Sequence, residues 1–169
     1  MKMPGKPKNG EISEELFLKV KQSAEEIYQN TKSVYCPYLK QDISFNSSGF
    51  EHMKFSNHEK ARVRFEQYTR LKLFYLVPEI LKKSHTVQGV YDGQEWEREK
   101  SHGKWQKVLK GVKYFEFIAV IGKARIKVIV RKLGENGSHT FWSIIPFWKM
   151  KVIDGKIFRV LHDGNPQED

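Results

Sequence analysis

Histidine, serine and arginine are the side chains of this sequence whose types and order could work on a phosphodiester. His52 follows Gly49-Phe50-Glu51, His85 stands beside Lys82, Lys83 and Ser84, and Ser143 lies inside His139-Thr140-Phe141-Trp142-Ser143-Ile144-Ile145-Pro146. Cleaving RNA by its own 2′-hydroxyl without a metal needs a general base, a general acid, and cations or donors on the pentavalent phosphate. Histidine exchanges protons near neutral pH. Arginine binds phosphate through two parallel N–H groups, and a strand hydroxyl adds a donor. Cations stand close to each candidate: Arg62 and Arg64 after His52, Lys83 before His85, and Arg125, Lys127 and Arg131 before Ser143.

Each candidate also has a plainer reading. His52 on a short apolar-faced helix is more often a structural histidine than a catalyst, and His85 would cap a helix C-terminus favoured by the dipole. Arg62 and Arg64 read equally well as a solvated helix face. Trp142, Phe147 and Trp148 could stack on bases, but core packing is the commoner fate of such rings. The trio Arg125, Lys127 and Arg131 is harder to dismiss. It alternates with Ala124, Ile126, Val128 and Val130, so a strand over 124–131 would bury one face and offer cations, with Ile129, on the other. An offered cationic face suits a polyanion. Whether Ser143 or Trp142 turns toward it depends on strand register, which a sequence does not fix.

Composition narrows the alternatives. The chain has 169 residues with 39% hydrophobic and 13% aromatic content, enough for one domain with a real core. Thirty Lys and Arg face twenty Asp and Glu. The excess is concentrated in residues 52–111, with thirteen cations to seven acids, and in 112–160, with ten to three. That distribution argues a folded basic surface rather than a basic arm. One cysteine, Cys36, excludes an internal disulfide and a Cys-rich zinc site. No His-Glu-x-x-His, carboxylate cluster or glycine-rich nucleotide loop occurs, so neither a metal nor a cofactor is expected. No run approaches eighteen apolar residues and no hydrophobic signal region stands at the N-terminus, so the expectation is a cytoplasmic protein with no membrane partner.

The elements that must position these residues follow from periodicity. Residues 1–10 read as a disordered lead, 11–162 as one domain and 163–169 as an acidic tail. Ser13 caps a helix running to about residue 31; 35–45 reads as an irregular crossing, 48–55 as a short helix bearing His52, 58–75 as a long helix, and 78–84 as a further turn or two. Beyond residue 85 the period becomes two. A short strand over 86–91 ends at Asp92-Gly93, and 94–111 forms a hairpin or long loop. Strands follow over 112–121, 124–133 and 139–149, with a last hairpin at Asp154-Gly155. Helices first and a strand meander after them make an α+β fold: N-terminal helices packed on an antiparallel sheet of four strands or slightly more.

The order of a helix histidine in Gly49-Phe50-Glu51-His52, an Arg-rich helix, Val77-Pro78-Glu79-Ile80-Leu81-Lys82-Lys83 and a meander ending in Phe141-Trp142-Ser143-Ile144-Ile145-Pro146 resembles the phage-associated branch of the barnase–EndoU–colicin–RelE-like ribonucleases. The resemblance covers about residues 42–150. It implies a metal-independent endoribonuclease of toxin or phage settings, with RNA as substrate and an acidic antitoxin or immunity protein as a further partner. Carried over, the helix histidine is His52, the strand hydroxyl Ser143, and the basic helper one of Arg62, Arg64 and Arg125. On the residues themselves, His52, Ser143, Arg125 and His85 are the catalytic candidates, and Arg62, Arg64, Lys83, Lys127 and Arg131 the RNA-binding ones. A nucleic-acid-binding module without chemistry, or an interaction domain for an acidic protein, fits the same charge distribution.

Overall fold

The computed structural model describes residues 12–56, 60–122 and 124–161. The expected lead at 1–10 and tail at 163–169 lie outside them. Ser13 accepts a hydrogen bond from the Leu16 amide and starts α1 (Glu14–Asn30), whose first turn carries Glu14 and Glu15. Its inner stripe buries Val20, Ala24 and Tyr28. Residues expected as an irregular crossing form a small hairpin instead, β1 (Ser33–Cys36) and β2 (Gln41–Ser44), burying Val34, Cys36 and Ile43. Strands of four residues are too short for alternation to stand out in sequence.

Asn46 accepts from the Gly49 amide and opens α2 (Ser47–Lys54). The helix expected over 58–75 is shorter: α3 spans Arg64–Leu73. Before it, the Arg62 amide donates back to the Lys54 carbonyl and Phe55 bridges Ala61, so the chain doubles back before helix can start. His58 lies outside the described residues. A 3-10 turn, Phe74–Leu76, leads into α4 (Val77–Lys83), with Pro78 in its first turn.

The strands are longer than expected. Asp92-Gly93 does not end one; β3 (Gly89–Ser101) runs through it and pairs along its whole length with β4 (Lys104–Ile121). They turn at His102 and Gly103, whose φ values of 48° and 80° are the left-handed pair that a tight hairpin turn demands. β5 (Ala124–Leu133) and β6 (His139–Pro146) follow. The strand expected over 139–149 stops at Pro146. β7 (Trp148–Ile153) and β8 (Lys156–Leu161) make a separate two-stranded sheet.

The main sheet has the order β1-β2-β6-β5-β4-β3, antiparallel except where β2 meets β6. The fold is α+β, with helices packed on a mostly antiparallel six-stranded sheet. Parity decides what meets the helices. Phe115 and Phe117 of β4, Ile126, Val128 and Val130 of β5, and Phe141 and Ile144 of β6 pack with Leu71 and Phe74 in one core. Ile118 falls on the other face by the same alternation and is half-buried. A second cluster on that other face unites Val112, Tyr114, Ile129, Trp142 and Ile145.

The seam between the small hairpin and the meander is thin, a single parallel pair of Ser44 with Thr140. Two side-chain contacts reinforce it. Ser44 Oγ donates to the His139 carbonyl (3.3 Å), and the His139 Nδ1–H donates to Gln41 Oε1 (2.7 Å). Burial, then the charge of Lys132, holds the His139 imidazole below its ordinary value. The unfolded chain therefore takes up a proton at His139 near pH 6.5 that the native chain resists. Stability contributed here is whole above about pH 6.5 and is lost as pH falls from there toward the lowered native value. Melting temperatures followed across that window should drop less steeply for His139→Gln than for the parent; parallel slopes would assign the pH dependence to other groups.

Candidate functional site

One glycine lets α2 reach the sheet. A Cβ at Gly49 would stand 2.4 Å from the Phe141 carbonyl oxygen and 2.7 Å from the Tyr28 hydroxyl, so any larger residue lifts the helix off β6. Three residues on, nearly one turn, His52 stacks on Trp142 with ring centroids 4.3 Å apart and planes within 19°.

Trp142 is available because β6 is bulged. Val130 pairs with Phe141, yet Ile129 pairs with Ser143, leaving Trp142 as the extra residue. Phe141 and Ile144 thereby both stay in the main core, while Trp142 and Ile145 both join the opposite cluster. The register question between Ser143 and Trp142 thus has a specific answer. Trp142 meets His52 and the groove. Ser143 is fully buried, its Oγ accepting from Arg70 Nη1 at 2.6 Å.

Strand β5 adds Arg131, nine-tenths buried, with its guanidinium 3.8 Å from the Trp142 ring centre. Strand β3 adds Glu95, which accepts from Arg131 Nη1 (2.7 Å) and from the Tyr114 hydroxyl. Burial, followed by the Glu95 carboxylate, drives the Tyr114 phenol well above its ordinary range, so it stays protonated. These groups line one open groove of about 970 Å³ between α2 and the sheet, with Ser47, Ser48 and Glu51 on the helix side and Glu97 on the strand side. Two buried donors in its wall, Trp142 Nε1 and Arg131 Nε, have no hydrogen-bond partner among the described residues.

Behind the groove an ionic chain sets the histidine. Arg62 Nε donates to the His52 carbonyl (3.1 Å), and Arg62 Nη2 lies 3.4 Å from His52 Nε2. Arginine has donors only, so His52 Nε2 is the acceptor in this contact. Glu66 then joins Arg62 (3.1 Å) to Arg70 (3.0 Å), and Arg70 reaches Ser143. Ser143 is linked to His52 through this chain rather than across the groove.

The other candidates are dispersed. Arg64 pairs with Glu14 and lies over Phe17, and Lys83 pairs with Glu79 on the surface (3.2 Å). His85 is exposed just beyond α4. Arg125, Lys127 and Arg131 do share one face, but the expectation of an outward cationic face needs correcting. Lys127 is buried against Glu116 (2.8 Å) and Arg131 against Glu95; only Arg125 is exposed, over the Phe147 ring. Glu95 and Tyr114 were not singled out from sequence. The signal was there: Glu95, Glu97 and Glu99 alternate with Trp96, Arg98 and Lys100, a period of two inside the stretch read as a hairpin or a long loop, of which the hairpin is what forms. No metal-binding group of three His, Cys, Asp or Glu occurs among the described residues. No helix there is long and apolar enough to cross a membrane.

Comparison with known proteins returns no matching family model, no similar curated protein and no similar solved structure. The class is therefore defined by geometry alone: an α+β protein whose sheet and one short helix enclose a groove holding a histidine, a glutamate and an arginine.

Gly49→Ala tests the seating of that helix. Alanine favours helix by about 1 kcal/mol over glycine, so propensity alone predicts a more stable protein. The contact with Phe141 and Tyr28 predicts the reverse, a loss of about 1–3 kcal/mol from overpacking. Chemical denaturation reads the sign directly, and a stabilised variant would mean that α2 has room to spare.

Proposed function

We propose that the groove is the active site of a metal-independent endoribonuclease. The observation that carries the reading is the convergence of His52, Glu95 and Arg131 on one open groove. In this reading the phosphate takes the Arg131 guanidinium, which can form two parallel bonds to it. That competes with Glu95, now held on the same guanidinium, and frees the carboxylate. His52 and Glu95 then form the acid–base pair. One accepts the proton of the 2′-hydroxyl as it attacks phosphorus; the other returns a proton to the 5′-oxygen as the P–O bond breaks. The products are a 2′,3′-cyclic phosphate and a free 5′-hydroxyl. Arg62 is a positioning residue that fixes the His52 ring. The resemblance noted from sequence agrees in placing a proton-transfer histidine at His52, and differs in that the hydroxyl it implied, Ser143, serves the ionic chain behind the site.

The deciding experiment is digestion of RNA in excess EDTA. The expected result is cleavage that leaves cyclic phosphate ends, slowed roughly 10²–10⁴-fold in His52→Ala. Glu95→Gln should slow cleavage by a comparable factor. RNA bound but left intact by the parent protein would reduce the groove to a binding site, and unchanged rates in both variants would place the chemistry elsewhere.

A further inference from the structure

β4 meets β5 only from Val112 onward, so residues 94–111 extend past the body of the sheet as a two-stranded arm. Its two faces differ sharply. Cross-strand partners share a face, which places Glu95, Glu97 and Glu99 on the groove side. The other side carries Trp96 opposite Leu109, Arg98 opposite Lys107, and Lys100 opposite Trp105. All six are exposed, Trp96 by 67% and Trp105 by 70%. The arm's acids all lie on the opposite face. Among the described residues, Arg98, Lys100 and Lys107 make no ion pair. Like charges placed directly opposite, as Arg98 and Lys107 are, cost stability. Apolar rings left in water contribute nothing to the core. An anion with flat, apolar faces would relieve both.

We propose that this face of the arm is a platform for single-stranded RNA, stacking bases on Trp96 and Trp105 and neutralising the intervening phosphates with Arg98, Lys100 and Lys107. The rings lie four residues apart along the ribbon, about 13 Å, with the Arg98–Lys107 pair between them. Stacking on aromatic rings beside a cationic track is how sequence-tolerant single-strand binding is built. A duplex, whose bases are already stacked, offers the rings nothing. The inference rests on RNA being the ligand of the groove, and adds how a strand longer than the groove would be held.

The test measures binding of a short fluorescein-labelled oligouridylate, and of a duplex of the same length, by the full His52→Ala chain, whose slowed cleavage leaves the RNA largely intact through the measurement. Tighter binding of the single strand is expected. Trp96→Ala and Trp105→Ala should each weaken it roughly 5-fold or more. The double variant Arg98→Gln/Lys107→Gln should lower the salt slope by about 0.7 for each phosphate no longer neutralised. With an active groove, Trp105→Ala should raise KM for a long strand and leave cleavage of a dinucleotide unchanged. Single-strand binding unchanged by removal of the rings overturns the platform, even where the parent protein cuts RNA. Equal affinity for duplex, or for polyglutamate at the same salt, overturns it too. Ring-dependent binding by a protein that cuts nothing sustains the platform and removes the reaction.

Discussion

One extra residue in β6 governs how the site and the core coexist. Phe141 and Ile144 are separated by three positions, and a regular strand would point them to opposite faces. Both are fully buried in the same core. The bulge at Trp142 supplies the missing step, and the same step sends Trp142 and Ile145 together to the far face. A bulge bends a strand and increases its local twist, which suits β6 as the strand on which α2 settles. Remove the extra residue and either Phe141 leaves the aromatic cluster it forms with Tyr28, Phe45 and Phe74, or Trp142 leaves His52 and Arg131.

The charge of the chain is used in two different ways. Arg62, Arg70, Lys127 and Arg131 are engaged by carboxylates inside the fold. Buried ions of this kind give little net stability, because desolvation offsets their attraction; what they punish is the removal of one partner. Their value here is geometric. The Arg62–Glu66–Arg70 chain ties α3 to His52 at one end and to Ser143 at the other, so helix and strand hold a fixed relation behind the groove. The net charge of +10 is therefore a poor guide to the surface beside the groove. The exposed Arg98, Lys100 and Lys107 on the outer face of the arm are among the cations that make no ion pair with the described residues.

How much of this was legible follows from which signals are local. The cap at Ser13, the amphipathic stripe of α1 and the alternation of β5 are written within single segments, and the class of fold came with them. His52 could be singled out because histidine on a short helix is chemically conspicuous. The bulge could not be read, since it is a property of two strands in register. Nor could the burial of Lys127 and Arg131: their outward side is outward only until Glu116 and Glu95 arrive from neighbouring strands. Glu95 itself was hidden by polarity. A strand with acids on one face and tryptophan and cations on the other has no hydrophobic face to announce it, and its period of two was the only sign.

That alternation has a consequence for how a strand of RNA would travel. By strand alternation the Glu95 side chain is on the groove face and the Trp96 ring on the other, with Trp96 also lining the groove's margin, so a ligand on both faces must cross the margin of the sheet at β3. β3 is an edge strand, thirteen residues long, with its outer backbone groups unpaired by any strand of the main sheet. Such an edge invites pairing with another chain, and charges placed along it are the usual protection. Glu95, Glu97, Arg98, Glu99 and Lys100 supply them in both signs. The same open N–H groups are donors that phosphates can accept from. An edge kept free of strands by charge remains accessible to a polyanion, so, on the proposed reading, the feature that guards β3 against aggregation also leaves a path from the proposed platform to the groove.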